Sequence, residues 1–150
     1  RHERARHERE AMQPVGIVAV SHSGPLATAV CDLVRQLAYL DADGPSLIPA
    51  GGIGEEVGTD AAAIADAIRR ADRGAGVVVC ADLGSAVLST LTAIEELLEP
   101  ELAARTRISR GPLVEGCFVA AVQAGAGDDL DGVLAAADGA AAMQKLEGGA

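Results

Sequence analysis

The chain is poor in rings and almost without lysine. Its 150 residues include one tyrosine (Tyr39), one phenylalanine (Phe118), no tryptophan and a single lysine, Lys145. So few rings leave no stacking platform for single-stranded nucleic acid. A formal net charge of -10 also opposes binding to a phosphate backbone, which needs clustered cations. Nucleic acid is not an expected partner. No Gly-x-x-x-x-Gly-Lys-Ser/Thr loop occurs, so the usual equipment for gripping ATP is missing. Any phosphate handled here must be held by backbone N–H groups, hydroxyls and helix dipoles. The three cysteines, Cys31, Cys80 and Cys117, form no Cys-x-x-Cys pair. They read as small buried hydrophobes in a reduced, cytoplasmic setting, with no metal centre. No apolar run is long enough to cross a bilayer, and the N-terminal stretch does not read as a signal peptide.

What the chain has is 49% hydrophobic residues, mostly Ala, Val, Leu and Ile, arranged in an alternating pattern. Residues 1–13 stand apart: Arg, His and Glu dominate and no apolar face recurs, so a disordered charged tail is expected. His2 and His7 belong to it, and Met12 stands where a folded unit could begin. The tail carries four arginines and three glutamates, so the acidity belongs to the remainder. Residues 14–150 are expected to form one domain, large enough for a real core.

Within that domain Val15–Val20 reads as a doubly buried strand. Leu26, Val30, Leu33 and Leu37 follow at helical spacing. Ser46–Ala50 is a short second strand, and Gly58-Thr59-Asp60 is a capped start for a helix over 60–71. Gly76–Ala81 is the clearest central strand, and Leu88, Leu91, Ile94 and Leu98 mark the helix after it. Arg105–Ser109 is a charged fourth strand, a small-residue helix follows Gly116 to about Ala124, and a last helix covers 130–143. Strands alternating with helices imply an α/β fold: an open, mainly parallel sheet with helices on both faces. Strand order 2-1-3-4 is expected, with room for an added edge strand.

That order makes strands 1 and 3 neighbours and puts the switch point between their carboxyl ends. His22, in Val20-Ser21-His22-Ser23-Gly24-Pro25, follows strand 1, and Asp82 follows strand 3. They should meet in the crevice where such folds bind ligands. An imidazole there, beside a helix N-terminus, can accept and donate a phosphoryl group if one nitrogen is unprotonated. A carboxylate on the other ring N–H fixes that tautomer, which is the role Asp82 could fill; an ordinary helix cap is its alternative. Ser23, Gly24, Thr59, Gly84 and Ser85 are the candidate phosphate-binding residues, through N–H groups and hydroxyls, and Ser21 adds another hydroxyl. Arg110, after strand 4, could reach the same phosphate; its role stays open.

Five segments in order carry a resemblance: Val20-Ser21-His22-Ser23, Gly58-Thr59-Asp60, Asp82-Leu83-Gly84-Ser85-Ala86, Leu97-Leu98-Glu99-Pro100-Glu101 and Pro112-Leu113-Val114-Glu115-Gly116. Over residues 15–142 the chain resembles the phosphotransferase subunit M of bacterial phosphoenolpyruvate-dependent dihydroxyacetone kinase. It is similar more distantly to mannose-type IIA domains of sugar phosphotransferase systems. The resemblance implies a mannose-type IIA fold, usually a homodimer, with a phosphohistidine intermediate and no cofactor bound to this chain. By this resemblance His22 receives phosphate from the phosphocarrier HPr and passes it to ADP on a partner subunit, L. A third subunit, K, presents dihydroxyacetone, and Asp82 carries over as the partner of His22. Some members append HPr-like and enzyme-I-like domains, which do not fit within these 150 residues. The charged tail and Ser109-Arg110-Gly111 depart from the pattern.

Two sharper readings of the same residues, and one plainer one, stay open beside the phosphocarrier enzyme. One is a sugar-specific IIA component feeding a transporter. The other is a regulatory binding module whose affinity changes when His22 is phosphorylated. A small-molecule-binding α/β domain with an unmodified His22 is the plainest reading.

Overall fold

Runs of branched residues make the central strands, because Val and Ile suit a pleated surface buried on both sides. The computed structural model describes residues 13–146, and the expected tail, apart from Gln13, lies outside them. β1 is Gly16–Ser21, β2 Leu47–Gly51, β3 Val77–Ala81 and β4 Thr106–Ile108. They form one parallel sheet in the order β2-β1-β3-β4. This is the expected order, and the described residues add no further strand to it.

Alternation along β1 and β3 divides the core into two layers. Val15, Ile17, Ala19, Val78 and Cys80 face α1 (Gly24–Leu37), α5 (Leu113–Gly125) and α6 (Leu130–Gly139). Val18, Val20, Val77 and Val79 face α2 (Ala61–Ala71), α3 (Gly84–Thr92) and α4 (Pro100–Ala104). A π-helical turn, Ala93–Leu97, extends α3, and a 3-10 turn, Ala140–Ala142, follows α6. All three cysteines are buried, unpaired and in the first layer. Burial pushes the Cys31 thiol up to about 11. No helix among the described residues is long and apolar enough to cross a membrane.

Two expected apolar stripes face inward only in part: Val30, Ile94 and Leu98 pack against the core, but the leucines beside them do not. α1 buries Ala27, Val30, Cys31 and Val34, while Leu26, Leu33 and Leu37 are about half exposed. After β3, Ala86, Thr90 and Ala93 are buried, and Leu88 and Leu91 reach solvent. Each helix carries two apolar stripes, and the one with smaller side chains lets the helix sit closer on the sheet. Boundaries moved slightly elsewhere. β4 is three residues long, and the last helix ends at Gly139 before its 3-10 turn. α4 was not anticipated at all, although Pro100 at its first turn is a recognised start signal.

Candidate active site at the carboxyl edge of the sheet

β1 and β3 run side by side and end together, so the residues after them are forced into proximity. Val20 pairs with Ala81, and the Asp82 N–H still donates to the Val20 carbonyl at 3.1 Å. One residue further on, the Asp82 carboxylate meets His22. Oδ1 lies 2.9 Å from His22 Nδ1, and Oδ2 accepts the His22 backbone N–H at 3.0 Å. Oδ2 also accepts the Ser21 hydroxyl at 2.9 Å, and Oδ1 accepts the Leu83 N–H at 2.7 Å. The His22 side chain keeps 21% of its surface exposed and Asp82 16%.

Burial is the largest single influence on Asp82 and opposes its charge. Hydrogen bonds from the His22 N–H, the His22 ring, Ser21 and Leu83 together outweigh it and hold the carboxyl below its ordinary pKa. An ionised carboxylate only accepts, so in the neutral ring Nδ1 is the protonated nitrogen and Nε2 carries the lone pair. The Ser85 hydroxyl, 2.5 Å from Nε2, is then the donor to it. The arrangement leaves one solvent-facing nitrogen nucleophilic and fixes which one it is. Asp82 does not cap α3; Leu83 occupies that position and makes no side-chain cap bond.

Neighbouring loops complete the turn. The Gly58 N–H donates to the His22 carbonyl at 2.8 Å, and Gly58 has φ of +151, where only glycine is at ease. A Cβ on Gly51 would stand 2.5 Å from the Ser21 carbonyl oxygen, so glycine lets β2 end against the histidine turn. The other predicted site residues divide. Ser85 touches the ring, and Gly84 beside it opens α3 with free space around it. Ser23 is the N-cap of α1: its hydroxyl accepts the Leu26 N–H, and its own N–H donates to Ser21 Oγ at 3.0 Å. The Ser23 N–H is therefore not free for phosphate, while Gly24 follows it as the first residue of α1. Thr59 Oγ1 pairs with Ser89 Oγ at 2.6 Å rather than with the ring. The Arg110 side chain is exposed, and its backbone N–H is held by Asp138 Oδ1 at 2.7 Å.

Sequence reasoning noted Ser21 only as a hydroxyl, yet it is fully buried and links Asp82 to the Ser23 N–H. Its signal was parity: Ile17, Ala19 and Ser21 share one buried face of β1. A hollow of about 420 Å³ lies among Ile53, Thr59, Asp60, Leu88 and Ser89, and one of about 340 Å³ among Ser23–Pro25 and residues 54–57. The larger hollow, about 620 Å³ around Pro14, Asp43 and Arg73, is at the amino edge and holds none of the predicted residues.

Residues 16–134 match the family model described as the PTS system fructose IIA component. The chain belongs to this family. Its curated relatives include the phosphoryl donor subunit DhaM of a PEP-dependent dihydroxyacetone kinase from Escherichia coli K12. That protein is 42% identical over 123 residues, covering 80% of this chain and 25% of the relative. A DhaM of dihydroxyacetone kinase 2 from Listeria innocua is 39% identical over 110 residues, covering 73% of this chain and 85% of the relative. The chain thus spans about a quarter of the enterobacterial relatives but most of the Listeria one. Among solved structures, protein EF1359, of unknown function, superposes with a TM-score of 0.73 and 33% identity. It covers 83% of this chain and 93% of its own. These curated relatives are the DhaM subunits that the sequence motifs resemble.

Proposed function

We propose that this chain is the phosphoryl-carrying module of a PEP-dependent dihydroxyacetone kinase, with His22 Nε2 as the carrier atom. The observation that carries the reading is the His22–Asp82 contact, set at the open edge of the sheet in a chain similar to DhaM. Nε2 attacks the phosphorus of a phosphohistidine on HPr. A P–N bond forms to Nε2 while the donor's P–N bond breaks and its electron pair returns to the donor imidazole. The Nδ1 proton stays in place, so the phosphorylated ring is cationic and the Asp82 carboxylate offsets its charge. For delivery, a terminal phosphate oxygen of ADP on subunit L attacks the phosphorus. The P–Nε2 bond breaks, the ring returns to its neutral form, and the ATP serves dihydroxyacetone held on subunit K.

Such transfers pass through a loose transition state that needs positioning above all. Ser85 must swing off Nε2 to admit phosphorus, and its hydroxyl is then placed to bond a phosphate oxygen. The N-terminus of α3, with Gly84 and Ser85, favours that negative charge. Thr59, lining one neighbouring hollow, and Gly24, lining another, complete the proposed phosphate site, with Ser23 supporting the turn. A homodimer in the cytoplasm, without a bound cofactor, belongs to the same proposal.

Mixing the protein with phosphoenolpyruvate, enzyme I and HPr should add one acid-labile phosphate at His22, read by mass spectrometry. If His22→Ala still takes up phosphate, His22 is not the acceptor. The family description favours a second reading, a sugar-specific IIA component feeding a transporter. Delivery of the phosphate to a sugar transporter subunit, and not to ADP on subunit L, would establish that reading instead.

A further inference from the structure

The carboxyl edge of the sheet carries the same hydrogen-bonded turn twice. After β1, the Ser21 hydroxyl and the His22 N–H both donate to Asp82 Oδ2, at 2.9 and 3.0 Å, and the Ser23 N–H donates to Ser21 Oγ. After β4, the Ser109 hydroxyl and the Arg110 N–H both donate to Asp138 Oδ1, at 2.9 and 2.7 Å, and the Gly111 N–H donates to Ser109 Oγ. Ser21 and Ser109 are both buried. The turns differ at the second carboxylate oxygen. At Asp82 the remaining carboxylate oxygen takes the ring of the intervening residue, whereas no ion pair joins Arg110 to Asp138 among the described residues.

From this pairing we infer that Ser21 is a positioning residue for His22, acting through Asp82 to keep the proton on Nδ1 and the lone pair on Nε2. Ser21 does not touch the ring. Its hydroxyl hydrogen ties down Oδ2, and its lone pair holds the Ser23 N–H. The first bond joins those from the His22 and Leu83 N–H groups in fixing the rotation of the carboxylate, and the second fixes the path of the turn, so Oδ1 lies opposite Nδ1. Without the hydroxyl, the carboxylate is held only by the His22 N–H on Oδ2 and the Leu83 N–H on Oδ1, and its plane is freer to turn away from the ring. The imidazole is then free to place its proton on Nε2, where it blocks attack. The tautomer does not depend on phosphotransfer being the chain's function; the rate effect rests on that reading.

The test sets Ser21→Ala against Ser109→Ala, which removes the equivalent bonds from the turn that carries no histidine. Ring nitrogen chemical shifts of His22, measured on unphosphorylated protein at neutral pH, report the tautomer. Wild type and Ser109→Ala should both show the Nδ1–H form, and Ser21→Ala a mixture containing Nε2–H. Phosphate uptake from phospho-HPr should slow about 10-fold in Ser21→Ala, a typical loss for an outer-sphere partner, and be unchanged in Ser109→Ala. Should Ser21→Ala not fold, Ser21→Cys keeps the shape with a weaker donor and should show the same shift, smaller. Unaltered ring shifts in the folded Ser21 variant, or equal shifts in the Ser109 variant, overturn the inference. A shifted tautomer in a protein that never takes up phosphate upholds Ser21 and refutes the proposed function instead.

Discussion

The turns after β1 and β4 share a scaffold and differ in what hangs from it. Each uses a buried serine and a distant aspartate to satisfy the main-chain N–H groups that a strand exposes as it stops. In one the next side chain is an imidazole that folds back onto the carboxylate; in the other it is a solvated guanidinium. The serine–aspartate strap is therefore a way to end a strand. Chemistry enters only where a second carboxylate oxygen is left facing a titratable ring.

The sharpest break in that comparison is His22→Ala, which should abolish phosphate labelling while circular dichroism and the unfolding midpoint hold. Next is Asp82→Asn, which keeps the shape and removes the charge. Uptake should fall about 10- to 100-fold, as it does for partners that orient a reactive ring. Asp138→Asn at the twin site should leave uptake unchanged. It should lower stability by about 1 kcal/mol for the weakened bonds to Ser109 and Arg110, measured by urea denaturation. Arg110→Ala should have the smallest effect, with wild-type uptake and a change within about 0.5 kcal/mol. An uptake defect in either Asp138→Asn or Arg110→Ala would mean that the β4 turn belongs to the site.

The comparison can also be sharpened with pH. The Asp82 carboxyl is held below its ordinary pKa despite burial, so its stabilisation is present above the unfolded value of about 3.9. It is lost as pH falls through the lower folded value. Wild-type stability should therefore drop more steeply below about pH 4 than that of Asp82→Asn. Parallel curves for the two proteins would mean that the bonds to Asp82 do not favour its charged form.

Much of this architecture was legible because parallel sheets leave few options. The unbroken apolar runs of β1 and β3, and the preference for right-handed crossovers, are enough to imply the strand order and to bring His22 to Asp82. Lateral detail was not legible. Helical spacing showed that Leu26, Val30, Leu33 and Leu37 share a stripe, but not that Val30 would take the sheet together with Ala27, Cys31 and Val34 while the leucines stayed half exposed. The Thr59–Ser89 pair joins a loop to a helix 30 residues later, and Ser109 meets Asp138 across 29 residues. No local pattern encodes such distances. Ser21 was hidden for another reason: a serine at the end of a strand looks like turn chemistry, whether its hydroxyl meets water or a buried carboxylate.

The three sulfurs on the α1/α5/α6 side of the sheet give the domain a built-in clock for opening. Cys31, Cys80 and Cys117 sit on a helix, a strand and a second helix, none of them accessible to solvent. Burial disfavours the thiolate at Cys31, and at Cys117 the neighbouring Cys80 thiol and burial do the same; with all three sulfurs shut away from solvent, an alkylating reagent cannot reach them in the closed molecule. Modification must wait until that layer parts, and its rate then counts excursions from the native state.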